Sequence, residues 1–421
     1  MGRLEAAGFK CTHDSKRATA PIVIINTCGF IGDAKEESIN TILQFAQRKS
    51  EGKLKHLYVF GCLSERYKDI LPAEIPEVDE WFGKFDFDLL ADQLIKASQA
   101  AVSKESTIQR HITTPKHYAY LKISEGCNRM CSYCAIPLIT GHHTSRKMED
   151  ILHEAEWMRD KGVKEINVIA QDLSSYGLDL YGRHCLPELV ERMAGIEGIE
   201  WIRLHYTYPT DFPDELLDVM SRHDNVCKYL DIALQHCTDH MLSLMKRHIT
   251  QAEQDALIQH IRAKVPGICL RTTLMVGHPG ETEDDFDALC EWVKAMRFDR
   301  MGAFAYSEEE GTFAAKHYKD DIPEEIKQKR LERLMAIQQE ISSELMQKKI
   351  GQVIRVIIDR AEGDYFIGRS EQDSPEVDCE ILINRQEAYD KGINIRNGHF
   401  YEVKIERAEE FDLYGTIWNR K

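Results

Sequence analysis

Apolar positions in the first hundred residues fall in short continuous runs separated by longer amphipathic stretches. Residues 22–25 and 57–60 read as buried strands, with a helix over roughly 34–48 between them. The strands end at Asn26-Thr27-Cys28-Gly29 and Gly61-Cys62. This pattern predicts a small doubly wound α/β unit. Ligands gather at the carboxyl ends of such strands, and Cys28 and Cys62 both fall there. The βα rhythm resumes at Tyr118 and lasts to about residue 320. Strands are predicted at 118–123, 165–170, 201–206, 229–234, 269–276 and 300–306, with helices such as 146–161 and 283–296 between them. Six βα units predict a partial TIM-like (βα)6 barrel with its active site at the strands' carboxyl ends.

Ile322-Pro323-Glu324-Glu325 opens a long amphipathic helix to about Lys349. Proline suits the first turn, and the two acids complement the helix dipole. Short strands with glycine turns follow at 353–358, 365–368, 377–383, 400–405 and 413–417, the pattern of a small OB-like β-barrel. The chain is therefore an α/β multidomain protein. Its predicted parts are 1–102, a polar linker at 103–116, 117–349 and 350–421. No fixed-period repeat or low-complexity tract is present.

A length of 421 residues fits two or three domains. No run of eighteen apolar residues occurs, which predicts no membrane span. The start lacks the apolar run of a secretory signal, which predicts a cytoplasmic protein. The 54 basic and 70 acidic side chains leave a net charge of −16. Such a surface repels nucleic-acid phosphates and favours basic partners. Twelve cysteines in a cytosolic chain point to metal or redox chemistry rather than disulfides. Cys185, Cys227, Cys269, Cys290 and Cys379 sit singly among apolar residues and read as core fillers.

The densest chemistry lies in Ser124-Glu125-Gly126-Cys127-Asn128-Arg129-Met130-Cys131-Ser132-Tyr133-Cys134-Ala135-Ile136-Pro137. This loop follows the first strand of the second βα series. Thiolates are the usual ligands of iron–sulfur clusters, and three of them leave one iron of a 4Fe–4S cubane open. Zinc is the alternative. It would require a fourth protein ligand, for which His142 and His143 are near enough in sequence.

A Cys-x-x-x-Cys-x-x-Cys loop in this setting resembles the radical S-adenosylmethionine (SAM) superfamily. The resemblance implies that Cys127, Cys131 and Cys134 hold a 4Fe–4S cluster whose open iron binds SAM, with Tyr133 meeting the adenine. The order of an α/β unit with strand-end cysteines, a radical SAM domain and a terminal barrel is similar to the methylthiotransferases. The terminal barrel then resembles a TRAM domain. The stretches that carry this likeness include Asn26–Ile31, Ala170-Gln171-Asp172, Leu234-Gln235-His236, Arg271–Thr282, Tyr306–Thr312 and Gly368–Glu371, so it spans nearly the full chain. The branch most similar to the chain modifies an aspartate of ribosomal protein S-12.

The resemblance implies two 4Fe–4S clusters, SAM used both as methyl donor and as radical source, and an external reducing electron donor. It also implies that Cys28 and Cys62 ligate the auxiliary cluster. The family uses a third cysteine after an opening strand. Here the sequence begins inside the following helix, and Cys11 is the one early substitute, so an incomplete auxiliary site is expected. Gln171 and Asp172 are expected to contact SAM or substrate, with loop capping by Asp172 as the alternative.

Residues 350–421 carry ten Lys and Arg against fifteen Asp and Glu, a net of −5. That balance suits a basic ribosomal protein, S-12 itself or within the small ribosomal subunit, better than tRNA. A non-catalytic ribosome-binding role is the alternative from another class. Other positions read more plainly. Gly277-His278-Pro279-Gly280 ends a strand, where its glycines suit either a close approach of backbone to the cofactor or a plain turn, with His278 structural. Lys246-Arg247-His248 reads as a solvated face and Glu308-Glu309-Glu310 as a solvated loop able to attract a basic substrate. Arg203 points from a strand and is able to pair with an acid.

Overall fold

Short β-branched runs joined by helices pair in parallel, and this governs both halves of the chain. The computed structural model describes residues 1–14, 20–98, 108 and 110–418. Residues 103–107 and 109 of the expected linker lie outside them. The chain divides into two compact units. The first comprises Met1–Thr113, Tyr133–His142 and Ser307–Lys316. The second comprises Thr114–Ser132, His143–Tyr306 and His317–Lys421.

In the first unit, Ile22–Thr27 and His56–Gly61 pair in parallel with Thr27 opposite Gly61, and Glu80–Trp81 adds a third strand. The sheet is apolar on both faces, as a parallel sheet covered on both sides requires. Val23, Ile25, Leu57 and Val59 join Ile42, Phe45 and Ala46 of the helix Gly32–Ser50. Ile22, Ile24, Tyr58 and Phe60 join Leu4, Ala7, Phe82, Leu90 and Leu94. The segment Ser307–Lys316 is anchored in this unit by Glu309. Its carboxylate, 4% exposed, accepts from Lys35 Nζ at 2.9 Å and Arg66 Nη1 at 2.8 Å. The expectation of a solvated Glu308–Glu310 loop is thus corrected at its middle residue. Two cations neutralise Glu309, and that makes its burial tolerable.

The second unit holds the (βα)6 order expected. Tyr118–Lys122, Glu165–Ile169, Trp201–Thr207, Val226–Gln235, Cys269–Val276 and Arg300–Ala305 form one parallel sheet in sequential order. Thr250 and Thr282 close capping boxes on the helices Gln251–Lys264 and Glu283–Met296. Glu324–Gln347 is the long helix, with Pro323 as its N-cap. The same unit contains a closed barrel of Val353–Glu362, Tyr365–Ser370, Ile381–Asn384, Phe400–Ala408 and Leu413–Ile417. The strand expected at 377–383 begins only at Ile381. The preceding residues turn instead, because the Asp378 carboxylate accepts from the Ser374 backbone N–H at 2.9 Å and from Tyr229 OH at 2.9 Å.

A buried lattice of ion pairs joins this small barrel to the amino-terminal ends of the six strands. Arg369 pairs with Glu165 at 2.7 Å and with Asp359 at 2.6 Å. Arg203 pairs with the same Glu165 at 2.9 Å and donates to Glu371 O at 2.6 Å. Arg300 meets Asp373 at 2.6 Å. Glu165 and Arg203 have no exposed surface. Burial alone would raise the Glu165 carboxyl, but Arg369 and Arg203 outweigh it and hold it below the usual carboxylate value. Asp359 and Asp373 are likewise held low against the effect of burial, by His117 and Arg369 and by Arg300 respectively. The five singly placed cysteines are all buried, as expected. No helix among the described residues is long and apolar enough to cross a membrane.

Removing one partner of a buried pair leaves an uncompensated charge, so Arg369→Met should cost about 3–5 kcal/mol in urea unfolding. The depressed carboxylates bind fewer protons folded than unfolded. Their contribution should be complete above the unfolded values of about 4 to 4.5 and lost as pH falls below them. Urea titrations across pH 3–7 should show this slope in the native chain and a smaller one in Arg369→Met.

Candidate functional site

In the first unit, backbone packing at two glycines sets the positions of Cys28 and Cys62. Thr27 and Gly61 are paired across the sheet, so each cysteine is the residue just past a paired position. A Cβ at Gly29 would lie 2.7 Å from the Leu63 backbone, and one at Gly61 would lie 2.6 Å from Thr27 O. Gly61 also has φ +114°, a conformation that favours glycine. The two loops therefore lie against each other. Ser38 fastens the first by accepting from the Cys28 N–H at 3.0 Å and donating to Cys28 O at 3.1 Å. Cys28 is exposed and Cys62 half-buried. Cys11 instead packs with Phe9, Ile22 and Tyr58 against the apolar cluster on one sheet face, where burial raises its thiol pKa. Cys134 belongs to this unit as well, just before the helix Ile136–Thr140, which packs on Cys62–Arg66. Tyr133, in the turn before it, is half-buried.

Cys127 and Cys131 belong to the second unit. Gly126 at φ +78° and Met130 at φ +50° bend their loop. Cys127 Sγ accepts from the Arg129 backbone N–H at 3.5 Å. Burial pushes its thiol up to about 11. Cys131 is buried, and its Sγ accepts from Arg247 Nη1 at 3.2 Å. Ser132 fixes the next position. Its N–H donates to Met245 O at 3.1 Å, and its hydroxyl meets His278 Nε2 at 3.1 Å. His278 has no exposed surface, and burial pushes its pKa down to about 4, so it is a neutral packing group. Among the described residues, no three His, Cys, Asp or Glu side chains are gathered as ligands of one metal ion. His143, one of the two histidines considered for zinc, is turned to Ser145 Oγ at 3.2 Å.

At the carboxyl end of the second barrel strand, Asp172 uses both oxygens locally. One accepts from Ser174 N at 2.9 Å, and the other from Arg129 Nε at 2.7 Å and Ser175 Oγ at 2.6 Å. Gln171 Nε2 donates to Glu125 at 2.7 Å. Gln171 Oε1 and Gln235 Oε1, at the ends of the second and fourth strands, are buried with no hydrogen-bond partner among the described residues. Two orphaned acceptors at these ends suit a polar ligand with N–H and O–H donors.

Residues 121–293 match the radical SAM superfamily, 350–417 the TRAM domain and 1–83 the uncharacterized protein family UPF0004. The ribosomal protein uS12 methylthiotransferase RimO of Phocaeicola vulgatus is 61% identical over 417 residues, covering 99% of this chain and 94% of that protein. Its namesake from Bacteroides thetaiotaomicron is 58% identical over 422 residues, covering 100% and 94%. The chain belongs to the radical SAM methylthiotransferase family. Among solved structures, the radical SAM methyltransferase TsrM from Kitasatospora setae aligns with a TM-score of 0.55 at 14% identity, covering 71% of this chain and 66% of that one. That likeness concerns the fold alone.

Within this methylthiotransferase, Arg247, like Glu309, is a residue that sequence reasoning placed wrongly. It is 2% exposed rather than solvated, with its guanidinium 4.1 Å from the Tyr208 ring. Arg129 also stacks on Tyr208, at 4.3 Å. Tyr208 was missed altogether, since a lone tyrosine after a strand carries no distinguishing pattern. Replacing Gly29 by alanine should force the two cysteine loops apart. It should destabilise the first unit by about 1–3 kcal/mol, the usual range for overpacking, read as a lower thermal midpoint.

Proposed function

We propose that this chain adds a methylthio group to the β-carbon of an aspartate in ribosomal protein uS12. The observation that carries the reading is the 61% identity to a uS12 methylthiotransferase across nearly the whole of both chains. Cys127, Cys131 and Cys134 hold the 4Fe–4S cluster that binds SAM, and Cys28 and Cys62 are ligands of the auxiliary cluster. The donor chemistry fits, because all five are thiols and cluster irons favour thiolates. Loading a cluster deprotonates the thiols and turns those of the loop toward one centre, so assembly is favoured as pH rises. When bound, the clusters and SAM supply the one-electron cleavage that removes hydrogen from an unactivated carbon and the sulfur that replaces it.

The chain's own residues position these groups. Gln171 and Tyr133 contact SAM, the first through its unpartnered carbonyl oxygen. Asp172 acts through Arg129, a member of the cysteine loop that it holds at 2.7 Å. The electron comes from an external reducing donor. Charge favours a protein substrate, because residues 350–421 carry a net of −5 and the chain −16, whereas ribosomal proteins that line RNA are basic.

Anaerobic incubation of the reconstituted chain with SAM, reductant and either a uS12 peptide or tRNA tests the proposal. Methylthio gain on the peptide is expected, and gain only on tRNA would refute the substrate assignment. Cys131→Ala should lose about four irons per chain and abolish SAM cleavage.

A further inference from the structure

We propose that Arg247 is a positioning residue that raises the reduction potential of the SAM-binding cluster through the sulfur of Cys131. The inference rests on the assignment of Cys131 as a cluster ligand. Its geometry is independent of that assignment. Arg247 Nη1 points at Cys131 Sγ from 3.2 Å. The same guanidinium donates through Nη2 to Ala233 O on the fourth strand, which fixes the fork. The plane lies on the Tyr208 ring, whose hydroxyl donates back to Arg247 O at 3.2 Å and stands 3.7 Å from Cys131 Sγ. The backbone is bent to achieve this. Lys246 and His248, on either side, adopt φ +55° and +53°, left-handed conformations that non-glycine residues enter at a cost. Between them Arg247 is buried, while Lys246 is half-buried and His248 exposed.

The physical consequence follows from charge. Arg129, the other cation on Tyr208, is neutralised by Asp172 at 2.7 Å. Arg247 directs its N–H at sulfur. A cluster that gains an electron becomes more negative, and its cysteine sulfurs share that charge. A cationic donor on one sulfur in a dry site stabilises the reduced form more than the oxidised one. Partners of this kind beyond the ligands commonly set a metal centre's behaviour. The plainer reading is that Arg247 only satisfies Ala233 O and fills space against Tyr208, and that reading predicts no change in potential when the donor is removed.

Redox titration of the reconstituted chain, following the EPR signal that changes on adding SAM, separates the two. Arg247→Met should shift the one-electron equilibrium about tenfold toward the oxidised cluster, about 59 mV more negative. Arg247→Lys, which keeps the charge but not the fork, should fall between. Loss of iron in Arg247→Met with retention in Arg247→Lys also supports the role, because only the cation and its donor distinguish them. Equal midpoints at equal iron content overturn it. Iron loss in both variants with unchanged circular dichroism also overturns it, since Arg247 then only shapes the loop. If Cys131→Ala leaves the SAM-sensitive signal of the otherwise native chain intact, the ligand assignment fails, and this inference with it.

Discussion

Glu165 is the point on which the second unit turns. It opens the second strand of the sheet, has no exposed surface, and is held by Arg203 from the next strand and Arg369 from the small barrel. A carboxylate there is tolerable only while both cations are in place. Through Arg300–Asp373 and the carbonyls around Ser370 the same linkage reaches the sixth strand. Sequential strands of one parallel sheet thus have their amino-terminal ends committed to the terminal barrel. The carboxyl ends, free of that linkage, carry Asp172, Gln171, Gln235 and the loop of Cys127 and Cys131, where the proposed chemistry would lie.

At those ends the polar groups divide into two kinds. Asp172, Ser132 and His278 are satisfied by neighbours and hold backbone in place. Gln171 and Gln235 keep a buried acceptor with no partner among the described residues, a costly arrangement in a folded chain unless something else supplies the donor. In the cysteine loop, burial disfavours the Cys127 thiolate unless the positive charge of an iron–sulfur core compensates. Both features describe a site organised around groups that bind rather than around its own side chains.

Much of this was legible in the sequence because it follows local rules. Continuous apolar runs ending in Gly and Cys located the first parallel sheet and put Cys28 and Cys62 at its strand ends, and the alternation of strands and helices located the second. Pro323 followed by Glu324 and Glu325 marked the start of the long helix. What was not legible depends on tertiary partners. Lys246-Arg247-His248 has the composition of a solvated face, and only two left-handed residues and the Tyr208 ring turn Arg247 inward. Glu309 sits in an acidic run and is buried because Lys35 and Arg66, far away in sequence, reach it. The strand expected from residue 377 starts late because Asp378 is used by Ser374 and Tyr229 rather than by a sheet ladder.

Isotope transfer tests whether methylthiolation begins with hydrogen abstraction from the β-carbon of an aspartate in uS12. A uS12 peptide deuterated at that carbon should yield deuterated 5′-deoxyadenosine together with the methylthio product. Methylthio product without deuterium in the 5′-deoxyadenosine, or 5′-deoxyadenosine formed with no change in the peptide, would rule out that abstraction.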